Sequence, residues 1–344
     1  FHLSADSGVT VDDSGNVISW ADQVHGNTAV CENKYGAAPA DWMPTLVSGG
    51  SATFSGDYIA FDGVDDFFMV YEMVGGAKDI DIDPIGIDGS EELTMFIVYA
   101  DMPPGTGLAS ARSFGNTGSN DAFYPYFQNG DRISINNVPG QIMWGPKFED
   151  NFVEGAIVSY RFDYLASLQE LALDGGSPAT RAPSGAHSCP SAKAIGACEY
   201  NGNPGNYFEG GIAELIIYDR ALSDDEMNWV GYYLEDKYEL DTDYEPPTED
   251  IYTLTLQVFP PDQQIDTISP SAGSYACMDG IIFDLSAEEY VNCPAMYNFS
   301  HWVGPVADPC LPATTVTVTT DMFVTAVFSA IEGQCGDLCH PYPD

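Results

Sequence analysis

Positive charge is what this chain has least of. Its 344 residues carry 10 Lys and Arg against 52 Asp and Glu, a formal charge of −42. Nucleic-acid binding is excluded on that ground, because it depends on neutralising phosphates with Lys and Arg. Anionic membrane surfaces are disfavoured for the same reason. No apolar run approaches the roughly 20 residues that span a bilayer, so membrane insertion is not expected. The five histidines, at positions 2, 25, 187, 301 and 340, form no H-x-x-x-H or H-E-x-x-H pair for zinc. A G-x-S-x-G elbow and a phosphate-binding glycine loop are missing as well.

What is present is apolar and aromatic. With 44% hydrophobic residues and 12% aromatics the chain can build real cores, and its length leaves room for two domains. The acidic surplus fits solubility in a saline habitat. It also fits divalent cations, which collect several carboxylates. Asp79, Asp81 and Asp83 stand two residues apart, with Asp88 following, a spacing by which a loop can fold oxygens round calcium. The stretch is not an EF-hand: Pro84 stands where the glycine belongs and Ser90 where the bidentate Glu belongs. An exposed acidic edge with its Ile residues turned inward is the other reading. Asp62, Asp65 and Asp66 are read as fixing a turn, since Asp side chains in Asp-Gly turns bond their own backbone.

Through residues 1 to 220, short apolar runs such as Met95 to Tyr99, Phe123 to Phe127, Ala156 to Phe162 and Leu168 to Leu173 alternate with Gly, Pro, Asn and Asp. That is the pattern of an all-β sandwich. Ile212 to Tyr218 suits a strand, Asp219-Arg220 a turn, and Ser223 with Glu226 a capping box. Met227, Val230 and Leu234 then give a helix one apolar face. The acidic segment 241–250, with Pro246-Pro247, predicts a semi-rigid linker. Beyond it, Tyr252 to Val258 and Thr315 to Thr319 alternate with period two, predicting a second, small β domain.

The run from Gly210 through Glu226 fits the pattern G-x-I-A-E-x-x-x-Y-x-R-x-L-S-x-x-E. It resembles the C-terminal signature of laminin-G-like jelly-roll domains of the concanavalin A-like superfamily. The resemblance reaches back over most of residues 1–240: Trp20-Ala-Asp22-Gln is similar to their opening turn, Phe61-Asp-Gly-Val-Asp-Asp66 to their F-x-G-x-D-D hairpin, and Glu92 to Tyr99 to their central strand. It implies a jelly-roll sandwich with one short C-terminal helix. Residues 251–331 resemble a divergent internalin B-repeat domain, through the opening strand, Ser269-Pro-Ser-Ala-Gly-Ser-Tyr275, Phe299 to Gly304 and a final V-T-A-V-F. In that family such modules serve as spacers and stalks. The tail, 332–344, resembles the C-G-D-x-x-H-P-Y-P segment that joins modules in secreted planctomycete proteins.

Eight cysteines, at 31, 189, 198, 277, 293, 310, 335 and 339, are scattered through Gly- and Pro-rich sequence. Such scatter suits disulfides in an oxidising compartment, so an extracellular location, with any signal peptide removed before Phe1, is expected. Cys189 and Cys198 are the best pair by spacing, although eight cysteines allow 105 connectivities. Cys335 to His340 spells C-x-x-x-C-H, one residue longer than a haem attachment motif, and a short Pro-flanked tail offers no porphyrin pocket, so haem is not expected.

Sugar recognition needs aromatic faces beside amide or carboxyl groups. Three segments offer that chemistry, with Asp121, Tyr124 and Tyr126 in the first, Trp144 in the second, and Tyr200, Asn201 and Asn203 in the third. Glucanases of the same superfamily carry an E-x-D-x-E strand holding two carboxylates about 5 Å apart. This chain has none, since Glu209 and Glu214 lack the spacing and Asp163 stands alone. The expectation is therefore a secreted or cell-surface protein that is not an enzyme and that binds a polysaccharide or surface glycan, with calcium at Asp79, Asp81, Asp83 and Asp88 as the cofactor that spacing would admit. The competing expectation is a structural subunit of an extracellular filament or matrix, contacting copies of itself; a carbohydrate-active enzyme of the same fold comes third.

Overall fold

A computed structural model describes residues 1–32, 40–74, 77–79, 83–102, 113–117, 122–128, 132–137, 141–147, 155–187, 189, 191–200, 203–246, 251–260, 268–288, 290–292 and 295–332. The chain divides into two compact units, Phe1–Pro246 and Pro247–Asp344. Both are built from β-strands.

The first unit stacks two sheets. One runs in the order Ala179–Arg181, Leu168–Leu173, Ala156–Asp163, Glu92–Ala100, Glu209–Tyr218, Tyr58–Asp62 and Thr45–Val47, with His2–Ser4 pairing to Glu209–Tyr218. The other runs Gln141–Lys147, Arg132–Asn137, Ala122–Gln128, Phe114–Thr117, Lys193–Ile195, Phe68–Val70, Thr28–Val30, Val17–Ala21 and Val9–Val11. Between them lies a core that includes Trp20, Phe61, Phe68, Tyr99, Phe127, Tyr160, Phe162 and Phe208. On the first sheet's other face the helix Asp224–Tyr238 packs Val230, Leu234 and Tyr238 against Phe96, Val98, Ile157 and Ala213. Covered on both faces, Leu93 to Ala100 is buried at every residue. This explains why its sequence is an apolar run without alternation, interrupted at Thr94, whose hydroxyl donates to the Arg220 carbonyl.

The helix begins as its capping box requires: the Ser223 side chain accepts from the Glu226 backbone and the Glu226 side chain accepts from the Ser223 backbone. Arg220 adds a bidentate pair to Glu226 at 2.8 Å for each nitrogen. Opposite Val98 and Tyr99 the strand Glu209–Tyr218 carries one extra residue, Ala213, because Val98 pairs with Glu214 and Tyr99 with Ile212. This bulge brings Glu214 to the helix side, where it has no solvent access. Its carboxylate accepts from Lys237 Nζ at 2.7 Å and Tyr238 OH at 2.6 Å, and its other oxygen lies 2.7 Å from His2 Nε2. Burial alone would raise this carboxyl, but the bonds from His2, Lys237 and Tyr238 hold it below the usual range.

In the second unit a five-stranded sheet runs Gly273–Met278, Ile251–Phe259, Met322–Glu332, Ala295–Val303 and Tyr290–Asn292, with Ile251–Phe259 and Met322–Glu332 parallel. A three-stranded sheet holds Ile268–Ser269, Ile282–Ala287 and Ala313–Thr317. Leu254, Leu256, Trp302, Val316, Val324 and Phe328 form the core of this unit. The tail at 333–344 lies outside the described residues.

Two details differ from expectation. Residues 241–246, expected as linker, are folded onto the first unit: Tyr244 is buried, and Asn228 brackets Glu245 by donating to its carbonyl at 2.7 Å and accepting from its N–H at 2.9 Å. Docking buries the large apolar area of the tyrosine ring, and its hydroxyl reaches Ser159 at 3.3 Å. The expected Cys189–Cys198 bridge is not formed, and both side chains are buried. The seat of Tyr244 depends on Gly231, where a β-carbon would lie 2.2 Å from the ring. Gly231→Ala is expected to destabilise the first unit by about 1–3 kcal/mol through overpacking. Urea denaturation should show that cost shrinking in a Tyr244→Ala background, since the clash is then gone.

Candidate functional site

The segments that read as sugar-binding loops are largely strands of one sheet. Tyr124 and Tyr126 lie on Ala122–Gln128, and Trp144 lies on Gln141–Lys147, with Arg132–Asn137 between. Tyr126 pairs with Ser134 and Ser134 with Trp144, while Tyr124 pairs with Asn136. The interleaved residues Phe127, Ile133, Ile135 and Met143 belong to the core. Tyr124, Tyr126, Asn136 and Trp144 alternate with these along the strands, and Ser134, in register between Tyr126 and Trp144, is buried. Along a strand, Tyr124 and Tyr126 are separated by about 7 Å, and across two strand spacings Tyr126 and Trp144 by about 10 Å. Tyr200 and Asn203 pair with one another in the hairpin Cys198–Tyr200 and Asn203–Gly205. That hairpin joins Phe114–Thr117, the neighbour of Ala122–Gln128. The sheet thus unites five of the seven expected residues, and Asp121 and Asn201 lie outside the described ones.

The acidic stretch behaves differently. Asp79 ends a short hairpin opposite Glu72, and Asp81 lies outside the described residues. The Asp83 carboxylate accepts from the N–H groups of Ile85 at 3.1 Å, Ile87 at 2.5 Å and Asp88 at 2.7 Å. It also stands 3.0 Å from Lys193 Nζ, with side-chain exposures of 5% and 0%. The Lys193 ammonium donates further to the carbonyls of Cys189 and Ser191. Asp88 accepts from the Cys189 N–H at 2.7 Å. An ammonium already occupies the charge-compensating position beside Asp83, so the described part of this stretch gathers no calcium ligand set.

The carboxylates that do converge among the described residues are Asp62, Asp65 and Asp66, within 4.8 Å of one another. Asp62 Oδ1 accepts from the N–H groups of Val64, Asp65 and Asp66, and Asp66 Oδ2 accepts from the Asp62 N–H at 2.8 Å. They are the turn-making acceptors of the hairpin. Burial, reinforced by Asp62, pushes the Asp66 carboxyl up to about 7. Burial does the same to Asp174, also about 7, with Asp243 adding to it.

No family model matches the chain, and no curated protein matches it. Among solved structures it is similar to a Trypanosoma rangeli sialidase in complex with the inhibitor DANA, with a TM-score of 0.41 and 14% identity over 66% of this chain. The match spans 31% of that sialidase, less than a third of its length. It is also similar to domain 4 of a GH43 extracellular arabinanase from Geobacillus stearothermophilus in complex with arabinotriose, with a TM-score of 0.42 and 15% identity over 64% of this chain and 92% of that one. A third is the Ruminococcus gnavus IT-sialidase CBM40 bound to α2,3 sialyllactose, with a TM-score of 0.36 and 18% identity over 53% of this chain and 93% of that one. These likenesses lend no ligand to this chain. The expectation that the chain is not an enzyme is withdrawn, because one missing motif does not carry it. The missing E-x-D-x-E strand removes one paired-carboxylate arrangement, and glycoside hydrolases use others.

Sequence reading passed over Lys193 and Asp83 as a pair, because 110 positions separate a residue of one sheet from the loop it holds. Lys193→Met leaves Asp83 buried without its cation and is expected to cost about 3–5 kcal/mol in urea denaturation, part of it recovered by adding Asp83→Asn. Asp66 and Asp174 retain protons in the folded chain that the unfolded chain, at its ordinary 3.8, gives up. The stability they contribute is complete below pH 3.8 and declines as pH rises through about 7. In Asp66→Asn with Asp174→Asn, that decline should flatten in a series of melting temperatures across this range.

Proposed function

We propose that the first unit binds glycan chains on the sheet face that carries Tyr124, Tyr126, Asn136 and Trp144, with Tyr200 and Asn203 on the adjoining hairpin. The observation that carries this reading is the register of the three strands Ala122–Gln128, Arg132–Asn137 and Gln141–Lys147. It lines up aromatic positions in adjacent rows with an asparagine among them. Aromatic rings offer a flat apolar surface to the C–H face of a pyranose, and amides bond its hydroxyls. A chain of formal charge −42 favours neutral polysaccharides over polyanionic ones. In this reading the protein works outside the cell, and the second unit serves as a spacer.

Affinity electrophoresis against a panel of neutral polysaccharides tests the proposal, with calcium and again with chelator. Trp144→Ala and Tyr126→Ala are each expected to weaken binding by roughly tenfold while leaving the melting temperature within a few degrees. Because rings and amides need no metal, chelation should leave affinity unchanged. Binding that is lost on chelation and indifferent to Trp144 would move the site elsewhere. Silence across the panel would favour the structural-subunit reading.

A further inference from the structure

At the edge of the first unit, away from the tyrosine-bearing strands, two loops face each other across an open cleft of about 710 Å³. Each loop is folded round a buried aspartate. Asp22 accepts from the N–H groups of His2 at 2.9 Å, Val24 at 3.1 Å and His25 at 3.1 Å, and from the Asn27 side chain at 3.4 Å. Asp83 organises 85–88 in the same manner and is held by Lys193. Asn27 stitches the loops together by donating to the Pro84 carbonyl at 3.1 Å. The walls are thus set by buried charge and backbone bonds, which is how a site avoids paying ordering entropy on binding.

The lining has two kinds of surface. Pro84, Ile85, Ile87, Ile216 and Tyr218 supply an apolar wall, and His2, His25, Asn27 and Asp219 supply donors and acceptors. Both imidazoles are backed by carboxylates without solvent access: His2 Nε2 lies 2.7 Å from Glu214, and His25 Nδ1 lies 3.7 Å from Asp22. Since Glu214 is held ionised by Lys237 and Tyr238, it accepts from the His2 Nε2–H. The other ring nitrogen is left to bond a hydroxyl. Among the described residues no Lys or Arg side chain lines the cleft, and the carboxylates of Asp22, Asp219 and Glu214 lie at or behind its walls. Anionic ligands are disfavoured there. The volume falls in the range of about 300–1,000 Å³ usual for small-molecule sites.

We propose that this cleft is a second, separate sugar site that takes the end of a neutral glycan, one face of a pyranose against Ile85, Ile216 and Tyr218 and its hydroxyls on His2, His25 and Asp219. The proposal rests on the glycan-binding reading for the class of ligand alone. Its test uses the full chain and a panel of methyl pyranosides of glucose, galactose, mannose and xylose, followed by saturation-transfer NMR and titration. Substitutions His25→Ala and Val24→Trp suit it, because the His25 side chain is 63% exposed and Val24 is exposed to the same degree, so neither supports the core. At least one glycoside is expected to bind, with affinity reduced tenfold or more in both variants and unchanged in Trp144→Ala. A glycoside signal lost only in Trp144→Ala overturns the cleft and leaves the sheet face standing. A panel without any signal, or a signal that neither cleft variant alters, overturns the cleft also, whereas polysaccharide binding that fails with wild type and Trp144→Ala alike overturns only the sheet face.

Discussion

Glu214 is a carboxylate without access to water on the helix-covered face of the first sheet, and three separate parts of the first unit meet on it. His2 comes from the first strand, Lys237 and Tyr238 from the last turn of the helix, and Glu214 itself from the strand between them. Burying an ion costs several kcal/mol unless its lone pairs are filled, so the bulge at Ala213, the helix position and the pairing of His2–Ser4 are mutually dependent. A shift in any one would strand the charge. The same requirement holds the cleft in place, because one of its imidazoles is fixed by this carboxylate and its floor is the strand that carries it.

Among the described residues, four of the ten Lys and Arg have a structural task. Lys193 secures the Asp83 loop, Lys237 joins Glu214 and Asp6, Arg161 bridges Glu170 and Asp224, and Arg220 completes the capping box at Glu226. These four cations are therefore drawn inward or pinned to the helix, and the outer surface they leave behind is acidic. A field of that sign sorts ligands before contact is made and favours neutral sugars at both proposed sites.

Much of the architecture was legible from the residues. The strand from Ile212, the turn at Asp219-Arg220 and the capping box at Ser223 all involve neighbours in sequence, and local sterics and hydrogen bonding suffice to specify them. The turn of Asp62 and Asp66 is local in the same sense. Tyr124, Tyr126 and Trp144 could be singled out as residue types. That they sit on strands in matching rows depended on pairings across Arg132–Asn137, which no short window contains.

Sequence alone determined the class of fold, the place of the helix and the sign of the surface, because these follow from composition, period and neighbouring residues. Tertiary structure decided the fate of the charges. Asp83 reads as one member of an acidic run, and only the fold places the Lys193 ammonium beside it; His2 and His25 are unremarked until two aspartate-cored loops bring them to one cleft. Tyr244 reads as linker until Gly231 offers it a seat. The reason is common to all three: the energy of a buried charge or ring is set by what surrounds it, and its partners lie far away along the chain.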